Sequence, residues 1–364
     1  YELAVMKKVI LVSTCTNNKT ESISENKKLR NCSSVIYDQA IPAWCQSLWS
    51  GEDEQVTAST LYAGSHWGET IKAFDKLSAQ SSVSSELWIL SAGCGLIPAD
   101  LEVPAYSATF SSGADGIHEL IWQPGWSPKE KAQHWWKEIN ARKPSSIPRT
   151  LSDIESDDDT LWLFVLSKEY MPAIEQELFE LISSGQNILI ASAGAYANRQ
   201  SLHPLIQARI FSLSEKFETY RQVLHGAKVA LNANFAHWLT TEHMEGLLQN
   251  SESLLSTIAK IDESLPDPSS MDEDSFIDAT RQIGSDLPVE ELKNLWTKRN
   301  RETVPMTDEE VMEFIDACYE PGISSATQLL RKLRHEELRS CEQKRFGALF
   351  KLYENRNQLS LFDE

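Results

Sequence analysis
Four short, unbroken apolar runs constrain the fold of this chain more than any other feature. They are residues 8–15 (KVILVSTC), 86–91 (ELWILS), 161–166 (LWLFVL) and 187–191 (NILIA). Each is strand-sized and ends in a polar loop, the pattern of a strand buried on both faces. Residues 228–232 are a candidate fifth strand. Between the runs lie segments with apolar residues at helical spacing: 42–50, 61–77, 126–139, 171–183 and 233–250. The third opens with Ser127-Pro128-Lys129-Glu130, which reads as an N-cap, a proline at the first helical position and a capping-box acid. Strands alternating with helices predict an α/β fold, a mostly parallel sheet flanked by helices.

The pattern changes after residue 250. Residues 262–291 are dense in Asp and Glu and carry Pro266, Pro268 and Pro288, which reads as an acidic linker. The expected organisation is an α/β domain over 6–250, a linker over 251–290 and a small helical, partly basic C-terminal domain over 291–364. Thr307-Asp308-Glu309-Glu310 is a helix start with an acidic first turn, and Pro321-Gly322 is a break. Arg331, Lys332, Arg334, Lys344 and Arg345 make this tail basic. They are candidate contacts to a DNA backbone, with a solvated helix face as the competing reading. The competition matters because the whole chain has 34 Lys+Arg against 53 Asp+Glu, a net charge of −19. A field of that sign repels phosphate from the surface as a whole, so any DNA contact must be local.

No apolar run approaches the ~20 residues that span a bilayer. Residues 1–5 lack a basic segment leading into an apolar one, so no secretory signal is expected. The six cysteines are scattered without a C-x-x-C, so reduced thiols in the cytoplasm are expected. With no closely spaced Cys/His set, neither a metal nor a cofactor is expected.

Ligands of open parallel sheets bind beyond the C-terminal ends of the strands. Two of the predicted strands deliver cysteine there. Cys94 lies in Gly93-Cys94-Gly95, just after Ser91. Flanking glycines permit a tight turn and close ligand approach. A thiol exposed at a loop-to-helix boundary would be activated by backbone N–H groups. The alternative is a small buried filler between two turn glycines. Cys15 stands with Lys19, a lysine that can hold an anion or activate a thiol, or is merely solvated. Ser192 and Gly194 follow the fourth run. Tyr62, Gly64, His66 and Trp67 form a polar-aromatic group where a planar ring can stack, and Tyr106 with Pro104 ends the loop after Gly95. Trp122, Trp126, Trp135 and Trp136 are either core residues or a stacking platform for bases.

Several of these residues occur in a telling order: the Cys15…Lys19 loop, Leu61-Tyr62-Ala63-Gly64 with Trp67, Leu90-Ser91-Ala92-Gly93-Cys94-Gly95-Leu96-Ile97, and Pro104-Ala105-Tyr106. This order resembles the YaaA superfamily, whose members carry L-S-A-x-Y-G-L followed by P-Y; here Cys94 stands where tyrosine is usual. The resemblance covers roughly residues 8–250. Within the superfamily it is to a component of bacterial clusters that insert 7-deazaguanines into DNA. It implies hydration of the nitrile of 7-cyano-7-deazaguanine in DNA to the carboxamide. In that reading Cys94 or Cys15 is the nucleophile, Lys19 or Asp100 moves protons, and Ser91 or Ser192 stabilises the imidate. Tyr62 or Trp67 stacks on the base, and Gly64, Gly93, Gly95, Tyr106 and Gly194 help shape its pocket. The implied partners are DNA bearing the deazaguanine and other proteins of the modification system. A non-catalytic DNA-binding or interaction subunit of a stress or phage-defence system is the alternative.

Overall fold
The first apolar run becomes the middle of a sheet. In chain order the strands of the N-terminal part are β1 (Lys8–Thr14), β2 (Gln55–Thr57), β3 (Ser84–Ser91), β4 (Gly95–Pro98), β5 (Glu102–Pro104), β6 (Thr160–Val165), β7 (Asn187–Ala191) and β8 (Ile210–Phe211). The helices that matter to the site are α1 (Tyr37–Leu48), α2 (Ala58–Leu61), α3 (Ser65–Ser78), α4 (Pro128–Arg142) and α5 (Met171–Ser183). This computed structural model describes residues 6–51, 53–192, 201–211, 220, 231–249, 251–267, 271–283, 285, 287–299, 304–319, 324–335 and 339–360.

Six strands form one sheet in the order β4-β3-β1-β6-β7-β8. All its pairings are parallel except β3 with β4. The register sets Leu11 of β1 between Leu87 and Leu163. Val9 to Val12 and Leu161 to Val165 are wholly buried, which explains their continuous apolar character: helices cover both faces, and each large side chain removed from water contributes about 1.5–3 kcal/mol. The chain is thus α/β with a mostly parallel sheet, as expected.

The connectivity fixes where a ligand can enter. From β1 the chain builds β3 on one side, then returns to place β6 on the other. That reversal opens a crevice at the C-terminal ends of β1 and β6, the usual ligand position in open α/β sheets. The α4 capping box forms as read: Ser127 accepts from the Glu130 amide and Glu130 from the Ser127 amide.

Contacts divide the chain into two compact units, Tyr1–Asp286 and Leu287–Glu364. The second has helices Val289–Arg299, Asp308–Cys318, Ala326–His335 and Gln343–Ser360 around a core of Val311, Ile315, Leu333 and Phe346. Its Thr307 capping box is also present.

Two expectations are corrected. Residues 251–290 are not a linker, for Ser251–Ser264 and Glu273–Gln282 are helices. Asp272 caps the second of these through the Ser275 amide, and Phe276, Ala279 and Thr280 are buried beneath it. The acids that suggested a linker include that cap and the first turn it opens. The candidate fifth strand is corrected at its end: Leu231 and Asn232 begin the helix Leu231–Glu242, while residues 228–230 lie outside the described residues. Among the described residues the sheet ends in β8. Among the described residues no helix is long and apolar enough to cross a membrane.

Candidate active site
Cys15 extends β1 by one residue, its amide donating to the Leu90 carbonyl at 2.9 Å. This extra rung holds the half-buried thiol at the mouth of the crevice. Across the switch point, the residue before α5 is Tyr170, whose hydroxyl lies 3.0 Å from Cys15 Sγ. Tyr106 donates to the same sulfur at 3.6 Å. The Tyr106 hydroxyl is also 2.6 Å from Ser91 Oγ and 2.9 Å from the Tyr62 hydroxyl. Behind them the Cys94 amide donates to Ser91 Oγ at 2.8 Å.

These bonds have a direction. With the Cys94 amide donating to Ser91, the Ser91 hydroxyl is free to donate to Tyr106, which donates to Cys15. Burial raises all three phenols well above the usual tyrosine range, and proximity to the Cys15 thiol raises them further. They therefore stay protonated and act as donors at neutral pH. Lys19 completes the group. Its ammonium lies 4.9 Å from the ring centroids of both Tyr62 and Tyr106, within cation–π range, and donates to the Thr16 carbonyl. Burial lowers the Lys19 pKa, while the Cys15 and Cys94 thiols act in the opposite direction. The loop carrying Lys19 is tied to the segment after α2: Thr16 Oγ1 donates to the Ala63 carbonyl at 2.8 Å, and the Ala63 amide to the Asn18 carbonyl at 3.0 Å.

Cys94 is placed differently from its expectation. It lies in the turn between two strands, not at a loop-to-helix boundary, and is 1% exposed. Burial pushes its thiol up to about 12, with the Ser91 hydrogen bond opposing. The flanking glycines are required by packing. A Cβ on Gly93 would stand 2.5 Å from the Tyr106 ring, and one on Gly95, which has φ +79°, would stand 2.4 Å from Asn140 Oδ1. Trp44 and Trp135 donate their indole N–H groups to the carbonyls of Gly93 (2.9 Å) and Ala92 (2.7 Å). Asn140 Oδ1 accepts from the Leu96 amide at 2.9 Å, and buried Lys143 donates to the Leu96 carbonyl and to Asn140. Burial pushes Lys143 down to about 7. What this turn offers the site is the Cys94 amide, not the Cys94 thiol.

The remaining candidates divide. Trp67 is 3% exposed, donates to the Ser59 carbonyl and meets Tyr62 edge-on at 5.3 Å, so it buttresses Tyr62 and has no open stacking face. Gly64, with φ +95°, opens α3 against Asn18. His66 Nε2 is 3.2 Å from Ser13 Oγ, and burial pushes the ring down to about 4. Ser192 is buried just after β7 with no partner for its hydroxyl among the described residues, while Gly194 lies outside them. Asp100 is not in this group: it is exposed and lines a separate groove. Trp135 and Trp136 are core residues, and Trp122 stacks on Tyr37 at 4.9 Å. In the second unit Arg345 pairs with Asp308 and Lys332 is half-buried. The side chains of Arg331, Arg334 and Lys344 lie outside the described residues.

Sequence reasoning missed Tyr170. The available signal was a tyrosine two residues before Pro172, at the start of a helix that follows a buried strand. Among the described residues no group of three or more His, Cys, Asp or Glu side chains is placed to hold a metal ion. No family model, curated protein or solved structure matches this chain.

Proposed function
We propose that Cys15 is the nucleophile of an enzyme that hydrates a nitrile, the substrate being 7-cyano-7-deazaguanine in DNA. The observation that carries the chemistry is one sulfur at the crevice within reach of two phenolic donors, at 3.0 and 3.6 Å. The substrate comes from the resemblance to the YaaA superfamily. A nitrile carbon is a weak electrophile, so addition of a thiolate needs an acid at the nitrogen. The Cys15 thiolate adds to carbon while Tyr170 gives its proton to nitrogen, leaving a thioimidate and a phenolate. Water then adds across the C=N bond, its proton going to nitrogen. Collapse returns the hydroxyl proton to Tyr170 and expels the thiolate, leaving the carboxamide. Lys19 supplies positive charge near the sulfur, and Tyr106 with Ser91 relays hydrogen bonds from the Cys94 amide. A base in a duplex must first be flipped out of the stack.

The test is direct. DNA carrying 7-cyano-7-deazaguanine is incubated with the protein and digested, and the nucleosides are weighed by mass spectrometry. A gain of one water, lost in Cys15→Ala and kept in Cys94→Ala, supports the reading. An unchanged mass with the wild-type protein sinks it. It would favour a non-catalytic subunit that binds DNA or a basic partner protein, a reading that draws on the net charge of −19.

A further inference from the structure
A second cavity lies away from Cys15. It is a groove of about 850 Å³ bounded by α3, β3 and the end of β4, within the ~300–1,000 Å³ range of sites for small organic ligands. Its composition is one-sided. Ile71, Phe74 and Trp88 give it apolar surface, and Asp75, Glu86 and Asp100 give it carboxylates, while among the described residues its lining holds no Lys, Arg or His. Glu86 is already engaged, pairing with Lys8 at 2.6 Å and accepting the Trp88 indole N–H at 2.9 Å. That bond fixes the plane of the Trp88 ring. Asp75 and Asp100 are exposed carboxylates on the same groove.

We propose that this groove binds a small organic cation, an ammonium or guanidinium group carried on an apolar stem. The stem lies against Ile71 and Phe74. The cationic end meets Asp75 and Asp100, while Trp88, 8% exposed, adds only an apolar floor. An anionic ligand of the same size meets the Asp75 and Asp100 carboxylates, and the one nearby cation, Lys8, is already paired with Glu86. The groove does not depend on the reaction proposed for Cys15. It touches the same stretch of chain from the other side, for Ser59 and Thr60 line it and Tyr62 follows two residues later.

Dansylcadaverine, an amine on a fluorescent apolar body, is a suitable probe. Titrated into the full chain, it should give a saturable rise in emission. Its N-acetylated form, which has no charge, should bind about five-fold more weakly, the upper range expected for exposed charge pairs. Asp75→Asn with Asp100→Asn should weaken the amine by a similar factor and leave the acetylated form unchanged. Ala99→Trp, which fills the groove, should abolish saturable binding of both. Cys15→Ala should leave the titration unchanged, which separates this proposal from the one above. Equal binding of the charged and acetylated probes would overturn it, as would amine binding indifferent to both the carboxylate pair and Ala99→Trp. If Ala99→Trp fails to fold, the asparagine variants decide alone.

Discussion
Cys15 and Cys94 both follow a parallel strand of the same sheet, and that position alone does not tell their reactivities apart. Their surroundings do. Cys15 is half-buried at the crevice and meets two phenols. Cys94 is sealed under a turn that two indoles and two glycines hold in place, with its thiol pushed up to about 12. A strand end supplies a position, and the side chains that converge from other elements decide whether a thiol there can react.

The largest expected effect breaks this comparison if it fails. Cys15→Ala should reduce nitrile hydration by at least about 10³-fold, since no other group replaces a covalent nucleophile, whereas Cys94→Ala should keep activity within ten-fold. The measurement is single-turnover kinetics on modified DNA; the reverse ranking would move the nucleophile to Cys94. Next is Tyr170→Phe, which removes the nearest proton donor and should slow the reaction by about 10²-fold, the lower range for general acid catalysis. It should leave DNA affinity unchanged, and a rate within two-fold of wild type would remove Tyr170 from the mechanism.

Alkylation sharpens the contrast without a substrate. Iodoacetamide followed by peptide mass mapping should label Cys15 in the native protein and Cys94 only after denaturation. Early labelling of Cys94 would contradict its burial. The turn itself can be tested by Gly93→Ala, whose methyl meets the Tyr106 ring and Trp44. Overpacking of this kind costs about 1–3 kcal/mol, read as a lower urea midpoint.

The smallest effect is a dependence on pH. Burial pushes Lys143 down to about 7 in the folded chain, against an ordinary value of 10.5. Between these values the unfolded chain binds more protons, so stability rises with pH there, by at most about 1.4 kcal/mol per unit. Below about pH 7 the contribution levels off, with the ammonium held at a cost in the folded state. Lys143→Met should flatten the slope of urea stability between pH 7 and 10; an unchanged slope would show that Lys143 is not its source.

Much of this was legible in the sequence because continuous apolar runs have few structural solutions. The sheet's parallel strands β1, β3, β6 and β7 followed from KVILVST, ELWILS, LWLFV and NILIA almost residue for residue, whereas the short β4 and β8 carry no such run. Cys15, Lys19, Tyr62, Ser91 and Tyr106 were all candidates, and they do meet. Tyr170 was not, because an isolated tyrosine has no spacing that marks it, and only the crossing of β6 beside β1 brings it to the sulfur. Asp100 failed for the converse reason: nearness in sequence to Gly95 does not survive the β4 hairpin, which turns it toward another surface. The acidic stretch after residue 250 misled because charge density was read without its periodicity. Leu254, Ile258 and Phe276 are buried there while the acids face outward or cap.

Asn140 and Lys143 have a further consequence. β4 is the outermost strand on its side of the sheet, and an outermost strand invites another chain to pair with it. Here the Leu96 amide is taken by Asn140 and the Leu96 carbonyl by Lys143. Two residues on, Pro98 has no N–H to offer. The side chains that brace the turn therefore also close the border of the sheet, and an edge-to-edge assembly through β4 would have to displace a buried lysine before its first rung could form.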